Sequence, residues 1–363
     1  MVALRAIKNR RECHCANLSS FVFVLLVLSI ALASCAGPVK CENMEQTKIE
    51  LEKLDSLMGD WQGTWRLDDG SDSGAVVAQV IALGKGKYRA KFLDQFNARV
   101  PVIAELEGQL EEGKVLFSGP AEYDGFEFTL QTVLEGRKFA GTFQGQDFSG
   151  SLAMEKVVRL SPTLCARPPA GAVVLFNGDN LNEWKYSEDK PGPVQWKLAD
   201  GAMEVVPGTG SIITKKKFGY VKLHLEFRTP FMPDARGQGR GNSGVYLQGK
   251  FEVQVLDSYG LEGRDNECGG IYSVAQPLVN MCAPPMQWQT YDITFSAAHF
   301  DSSGKKIEDA LMTVVHNGVN IHEKVKVSKA TTAAPSGEPG GIYLQDHGNR
   351  VQYRNIWVVE LSE

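Results

Sequence analysis

The stretch FEVQVLDSYG (251–260) sets apolar Phe251, Val253 and Val255 against polar Glu252 and Gln254, then breaks the rhythm at Leu256 before Asp257. Alternation with a period of two marks a half-buried strand. The pattern recurs in VKLHLEFR (221–228), whose odd positions are apolar while His224, Glu226 and Arg228 share the other side. GVYLQ (244–248) separates Val245 and Leu247 from Tyr246 and Gln248, and IYLQ (342–345) turns out Tyr343 and Gln345. Helical periodicity is confined to Met44–Met58. These patterns predict an all-β protein.

At 363 residues the chain exceeds what one core usually serves, which predicts two domains. A net charge of -5, with both signs interspersed and no basic stripe, argues against nucleic acid as a partner. Arg5, Lys8, Arg10 and Arg11 precede an apolar run, Phe21–Ala33, too short to span a bilayer comfortably. The run ends Leu32-Ala33-Ser34-Cys35, small residues before a cysteine, as in the bacterial lipoprotein box. Residues 1–35 are therefore expected to be a lipoprotein signal with lipidated Cys35, giving the chain a membrane partner through its lipid anchor. Ala36, where Asp would favour the inner membrane, points to the outer membrane and its periplasmic or cell-surface side. Export permits disulfides, and Cys268 with Cys282 flank one segment, so they are the pair expected to bridge. No Cys-x-x-Cys or clustered histidine suggests zinc.

Residues 36–59 are expected to form a polar tether with a short helix. Over 60–160, strand signals recur at close spacing, separated by turns such as Glu111-Glu112-Gly113, and predict a small antiparallel barrel or sandwich. Its opening Gly63-Thr64-Trp65 is similar to the Gly-x-Trp start of lipocalin-type barrels. A proline-rich linker, 161–171, leads to a second all-β unit, 172–363, long enough for a two-sheet jelly roll with one sheet face open.

Glu226, Arg228, Tyr246, Gln254, Gln345 and nearby Trp288 are residues that hydrogen-bond to or stack on sugar rings, so the polar strand faces predict a carbohydrate site. Trp288 also suits the core. Regular alternation would turn Asp257 away from Glu252. One β-bulge near Val255 or Leu256 would re-aim it and make Glu252, Gln254 and Asp257 a carboxylate pair about an amide, the equipment of glycosidic-bond chemistry. The spacing resembles the Glu-x-Asp-x-x-Glu strand of laminarinase-type glycosidases on a concanavalin A-like sandwich, with Gln254 and Asp257 departing from it. The loop Pro230–Gly241, just before Asn242-Ser243-Gly244, is expected at the mouth of the site.

Leu175-Phe176-Asn177-Gly178, Asn242-Ser243-Gly244-Val245-Tyr246, FEVQVLD (251–257), Trp288-Gln289-Thr290-Tyr291, Asn317-Gly318, Ile342–Gly348 and Arg354-Asn355-Ile356 follow in order. Over Val173–Leu361 this series resembles the 3-keto-disaccharide hydrolase domain family, exported bacterial proteins with a laminin-G-like, concanavalin A-like jelly roll. The resemblance implies a glycoside-cleaving enzyme whose substrate carries a ketone at C3. The ketone acidifies the C2 proton, so a base can remove it and the aglycone can leave by elimination, with water added afterwards. On this reading Glu252 or His347 is the base and Asp257 the acid, with Arg228 or Gln254 near the carbonyl. Asn242, Glu226, Tyr246, Trp288, Gln345 and Asp346 would bind the sugar. The sequence also permits a divalent metal held by carboxylate, amide and imidazole groups. Two other classes compete: a non-catalytic carbohydrate-binding lipoprotein on the same jelly roll, and an adhesive lipoprotein without sugar.

Overall fold

The computed structural model describes residues 44–188, 190–332 and 338–362. Cys35 and the lipoprotein signal lie outside them. After a short helix, α1 (Met44–Leu54), the first β unit comprises β1 (Gly59–Leu67), β2 (Ser73–Gly84), β3 (Lys87–Leu93), β4 (Ala104–Glu111), β5 (Lys114–Tyr123), β6 (Phe126–Glu135), β7 (Lys138–Gln144) and β8 (Ser149–Val157). Each strand pairs antiparallel with the next, and β1 also pairs with β8, so the sheet closes into an eight-stranded barrel. The choice left open by the sequence, barrel or sandwich, resolves to a barrel. Tight turns permit this order: Asp124 and Gly125 sit at φ 51° and 84°, the positive pair that a two-residue hairpin loop of primed type requires. Inward residues fill the lumen. Phe139 is the hub, with ring centroids 5.6 Å from Trp61, 5.4 Å from Phe92 and 5.7 Å from Phe117.

The second unit begins with β9 (Val173–Phe176), β10 (Trp184–Tyr186), β11 (Lys197–Ala199), β12 (Ala202–Glu204), β13 (Ile212–Thr214) and β14 (Val221–Arg228). Next come β15 (Ser243–Leu247), β16 (Phe251–Val255), β17 (Gln289–Ser296), β18 (His299–Phe300) and β19 (Lys306–Glu308). Then follow β20 (Ala310–His316), β21 (Val319–Val327), β22 (Tyr343–Leu344) and β23 (Gln352–Glu360). One sheet runs β10-β13-β22-β15-β16; the other runs β11-β12-β23-β14-β17-β20-β21, with β9 on β23. The apolar positions read from the sequence meet between them. Val245, Leu247, Val253 and Val255 from the first sheet share a core with Leu223, Leu225, Phe227 and Ile293 from the second. At roughly 1.5–3 kcal/mol for each large side chain buried, this core is the main stabilising element of the sandwich.

Barrel and sandwich exchange side chains. Ile81 of β2 joins the sandwich core, while Phe231 from the sandwich loop packs on the barrel core. Tyr259 donates to Asp60 Oδ1 at 2.8 Å, and Arg159 Nε donates to Asp60 Oδ2 at 2.7 Å. Lys91 Nζ reaches the carbonyls of Gly260 and Leu261, both at 3.2 Å.

Candidate active site

The two polar strand faces lie on opposite sides of the sandwich, because β14 belongs to one sheet and β15 and β16 to the other. This corrects the expectation of a single shared site. The β14 face is also not open: the linker crosses it. Thr163 Oγ1 donates to Asp292 Oδ2 at 2.8 Å, the Cys165 amide donates to Glu226 Oε1 at 2.5 Å, and Asn355 donates to the Ala166 carbonyl at 3.0 Å. Glu226 is fully buried and accepts from Arg354 Nε at 2.7 Å and Asn355 at 2.9 Å. Burial pushes its carboxyl up, but His224 and Arg354 outweigh this and hold it below the ordinary range. His224 lies 2.8 Å from Asp292 Oδ1; burial lowers its pKa, and the two carboxylates more than restore it. Trp288 is buried against the guanidinium groups of Arg228 and Arg354, 4.6 and 4.0 Å from its ring centroid. Glu226, Arg228 and Trp288 thus form a buried bracket beneath the linker, and Trp288 presents no platform for a sugar ring.

The other face does assemble. In the β15–β16 ladder Tyr246 opposes Glu252 and Gly244 opposes Gln254. Gly244 makes the room: a Cβ there would stand 2.5 Å from Glu252 Oε1 and 2.7 Å from Tyr246 Cε2. The Tyr246 hydroxyl hydrogen-bonds the Glu252 carboxyl. Glu252 is only 4% exposed, and this burial raises its pKa to about 7, against the smaller opposing effect of Tyr246. Tyr343 meets Tyr246 edge-on at 4.6 Å between ring centroids.

Gln254 links Glu252 to the loop before β15. In one amide orientation its nitrogen lies 3.1 Å from Gln238 Oε1, leaving its oxygen toward Glu252; turned over, the nitrogen lies 2.9 Å from Glu252 Oε1 and 3.0 Å from the Ser243 carbonyl. The first orientation suits a protonated Glu252 and the second a carboxylate, so one amide accommodates both states of the acid. Asn242, nearly fully buried, donates to the Gln238 carbonyl at 2.8 Å and side-chain oxygen at 3.1 Å. Gln238 is the residue that strand parity missed. It lies in an irregular loop, and only the alternating glycines of Gly237-Gln238-Gly239 hinted that its backbone would be tightly bent.

Asp257 does not join this face. The β15–β16 register is regular and ends at the pair Ser243–Val255, so the expected bulge is absent. Val255 and Leu256 both enter the core, and the Asp257 amide bonds to the Arg240 carbonyl at 3.1 Å. The fully buried Asp257 carboxylate accepts from Arg240 Nε at 2.6 Å. Burial pushes its pKa up while Arg240 pulls it back. Asp346 holds a turn by accepting from the amides of Gly208 and Gly210 at 2.8 and 3.0 Å. His347 stands exposed beside it, and half-buried Gln345 donates its amide to the Gly244 carbonyl at 3.1 Å.

Among the described residues no group of three or more His, Cys, Asp or Glu side chains is placed to hold a metal ion. Cys268 and Cys282 are both free and buried, which corrects the expected bridge. The two thiols lie within hydrogen-bonding reach of each other without a bond between them; Cys268 Sγ is also 3.2 Å from the Tyr291 hydroxyl, and Cys282 Sγ is 3.5 Å from the Leu256 carbonyl. Cys165 is the described cysteine that is disulfide-bonded. A cavity of about 590 Å3 opens at the barrel mouth, lined by residues including Glu122, Phe128 and Gln144, and contains none of the residues around Glu252.

Residues 171–359 match the 3-keto-alpha-glucoside-1,2-lyase-like domain family. The chain belongs to this family. A crystal structure from Parabacteroides distasonis, described as a "putative glycosyl hydrolase", is 35% identical; the alignment covers 53% of this chain and 85% of that one, with a TM-score of 0.50. A second structure from the same organism, described in the same words, is 20% identical over 53% of this chain and 94% of its own, with a TM-score of 0.40. Comparison with curated proteins gives no match.

Proposed function

We propose that the protein cleaves 3-keto-glycosides by elimination, with Glu252 as the base. Family membership and the likeness to a structure described as a glycosyl hydrolase support a glycoside-acting enzyme. The observation that carries the finer reading is a buried carboxyl with a pKa near 7 on a sheet face otherwise lined by amides and tyrosines. A base is most useful when its pKa lies near the working pH, because it is then both available and strong enough.

The Glu252 carboxylate takes the proton from C2, whose electrons form the C1–C2 double bond as the C1–O bond breaks. The proton then held by Glu252 passes to the departing oxygen, so the aglycone leaves as an alcohol and the carboxylate is restored. Water adding across the double bond completes a net hydrolysis. One group serves as base and acid, and Asp257, ion-paired with Arg240, takes no part. Tyr246 holds the carboxyl in place, while Gln238, Asn242 and Gln254 supply the hydrogen-bonding groups around it.

The test is release of sugar from 3-keto-trehalose, with ordinary trehalose as control, by the parent protein and Glu252→Gln. Turnover of the keto sugar alone, lost by about a hundredfold or more in the variant, is the expected result. Full activity in the variant would transfer the role of base to exposed His347. Binding without release by the parent would favour the carbohydrate-binding alternative. We further propose export with Cys35 lipidated and the chain held at a bacterial membrane; the mass of the native N-terminal peptide decides this, and an unmodified terminus would defeat it.

A further inference from the structure

We propose that the barrel positions the candidate site by clamping the loop that connects β14 to β15. The inference goes beyond the reaction proposed above and does not depend on it. The loop has two halves with different partners. Its first half sits on the barrel: Phe231 packs against the barrel core, and Arg236 Nη2 donates to the Leu83 carbonyl at 2.7 Å. Asp234 lies over Gly84, where a Cβ would stand 2.1 Å from Asp234 Oδ1. The second half carries site groups: Gln238 meets Gln254 and Asn242, and Arg240 pairs with Asp257. Only the single 3-10 turn Gly237–Gly239 separates Arg236 from Arg240. Any shift of the barrel-bound half is therefore passed directly to Gln238.

The other end of the Arg240–Asp257 pair is held to the barrel as well. The Tyr259 amide donates to Asp257 Oδ1 at 3.4 Å, and the Tyr259 hydroxyl donates to Asp60 of β1. Gly260 is pressed so closely on the barrel that a Cβ would lie 2.5 Å from Ile81 Cδ1. Two separate segments of the sandwich thus reach the barrel and converge on one ion pair behind the site. Sandwich contacts reach the loop tip as well: Gln238 Nε2 donates to the Asn266 carbonyl at 2.8 Å, and the Asn242 amide donates to Asn349 Oδ1 at 2.7 Å. On this reading the barrel is a splint that fixes the amide network over Glu252.

The experiment is hydrogen exchange of the full chain, read by mass spectrometry over residues 237–242, with β14 as internal reference. Releasing the clamp with the double substitution Phe231→Ala and Arg236→Ala should speed exchange in 237–242 by about tenfold or more while β14 stays protected. Unchanged exchange in 237–242 would overturn the proposal, since the sandwich would then hold the loop unaided. If β14 also exchanges faster, the double variant has loosened the sandwich, and Arg236→Ala alone, which removes an exposed side chain, decides by the same reading.

Discussion

Replacing Glu252 by glutamine probes the site through stability before any substrate is chosen. Burial raises the carboxyl from its ordinary 4.5 to about 7. Between those values the unfolded chain ionises the group while the folded protein keeps it protonated. The unfolded state then binds fewer protons, so stability falls as pH rises through this window and stays low above it. Below 4.5 both states are protonated and the group contributes nothing. A pKa difference of roughly 2.5 at about 1.36 kcal/mol each gives about 3 kcal/mol. With 4% exposure, solvent screening takes little from this figure. Glutamine matches the shape, keeps an oxygen for Tyr246 and cannot ionise. In urea unfolding, Glu252→Gln should therefore match the parent near pH 4 and exceed it by about 3 kcal/mol near pH 8. A difference that stays flat between 4.5 and 7 would refute the buried, proton-retaining carboxyl. A difference of opposite sign would mean that the fold stabilises the carboxylate.

Gly244→Ala should cost about 1–3 kcal/mol and suppress turnover, because its Cβ would meet Glu252 Oε1 at 2.5 Å; parent-like kinetics would place the carboxyl elsewhere. Asp257→Asn leaves Arg240 buried without its counter-ion, and Arg240 Nη2 already lacks a hydrogen-bond partner. A loss of about 3–5 kcal/mol in urea is expected, and a change below about 1 kcal/mol would show that the pair is not buried as described. Cys268 and Cys282 should resist thiol reagents in the folded protein and both react once it is unfolded without reductant. Two unreactive cysteines in that unfolded sample would restore the disulfide.

The inward faces of β14, β15 and β16 were legible because alternation is a property of neighbouring residues. Val245, Val253 and Leu225 all enter one core as their parity demands. Sheet membership is a long-range property, and parity says nothing about it. His224, Glu226 and Arg228 carry the same local pattern as Glu252 and Gln254, yet their strands pair with different partners and their polar sides face opposite ways. Nor could the β14 sequence announce that the linker would cover it. That follows from where Thr163 and Cys165 come to rest, beside Asp292 and Glu226.

The two acids of FEVQVLD separate for a similar reason. A strand continues only while it has a partner, and β15 begins at Ser243, after Gly241 at φ 61°. Its pairing with β16 ends at Val255, and beyond that point the period of two no longer governs which way a side chain points. Glu252, inside the ladder, keeps the direction that alternation gives it, and Gly244 across the ladder provides the space its carboxyl fills. Asp257, two residues past the end, follows the backbone toward the barrel, where its amide and carboxylate both meet Arg240. A short acid on a segment aimed at a buried guanidinium is suited to anchoring. A longer acid on a regular strand, desolvated beside a tyrosine, is suited to moving a proton. The different surroundings of the two carboxyls therefore follow from where one ladder stops.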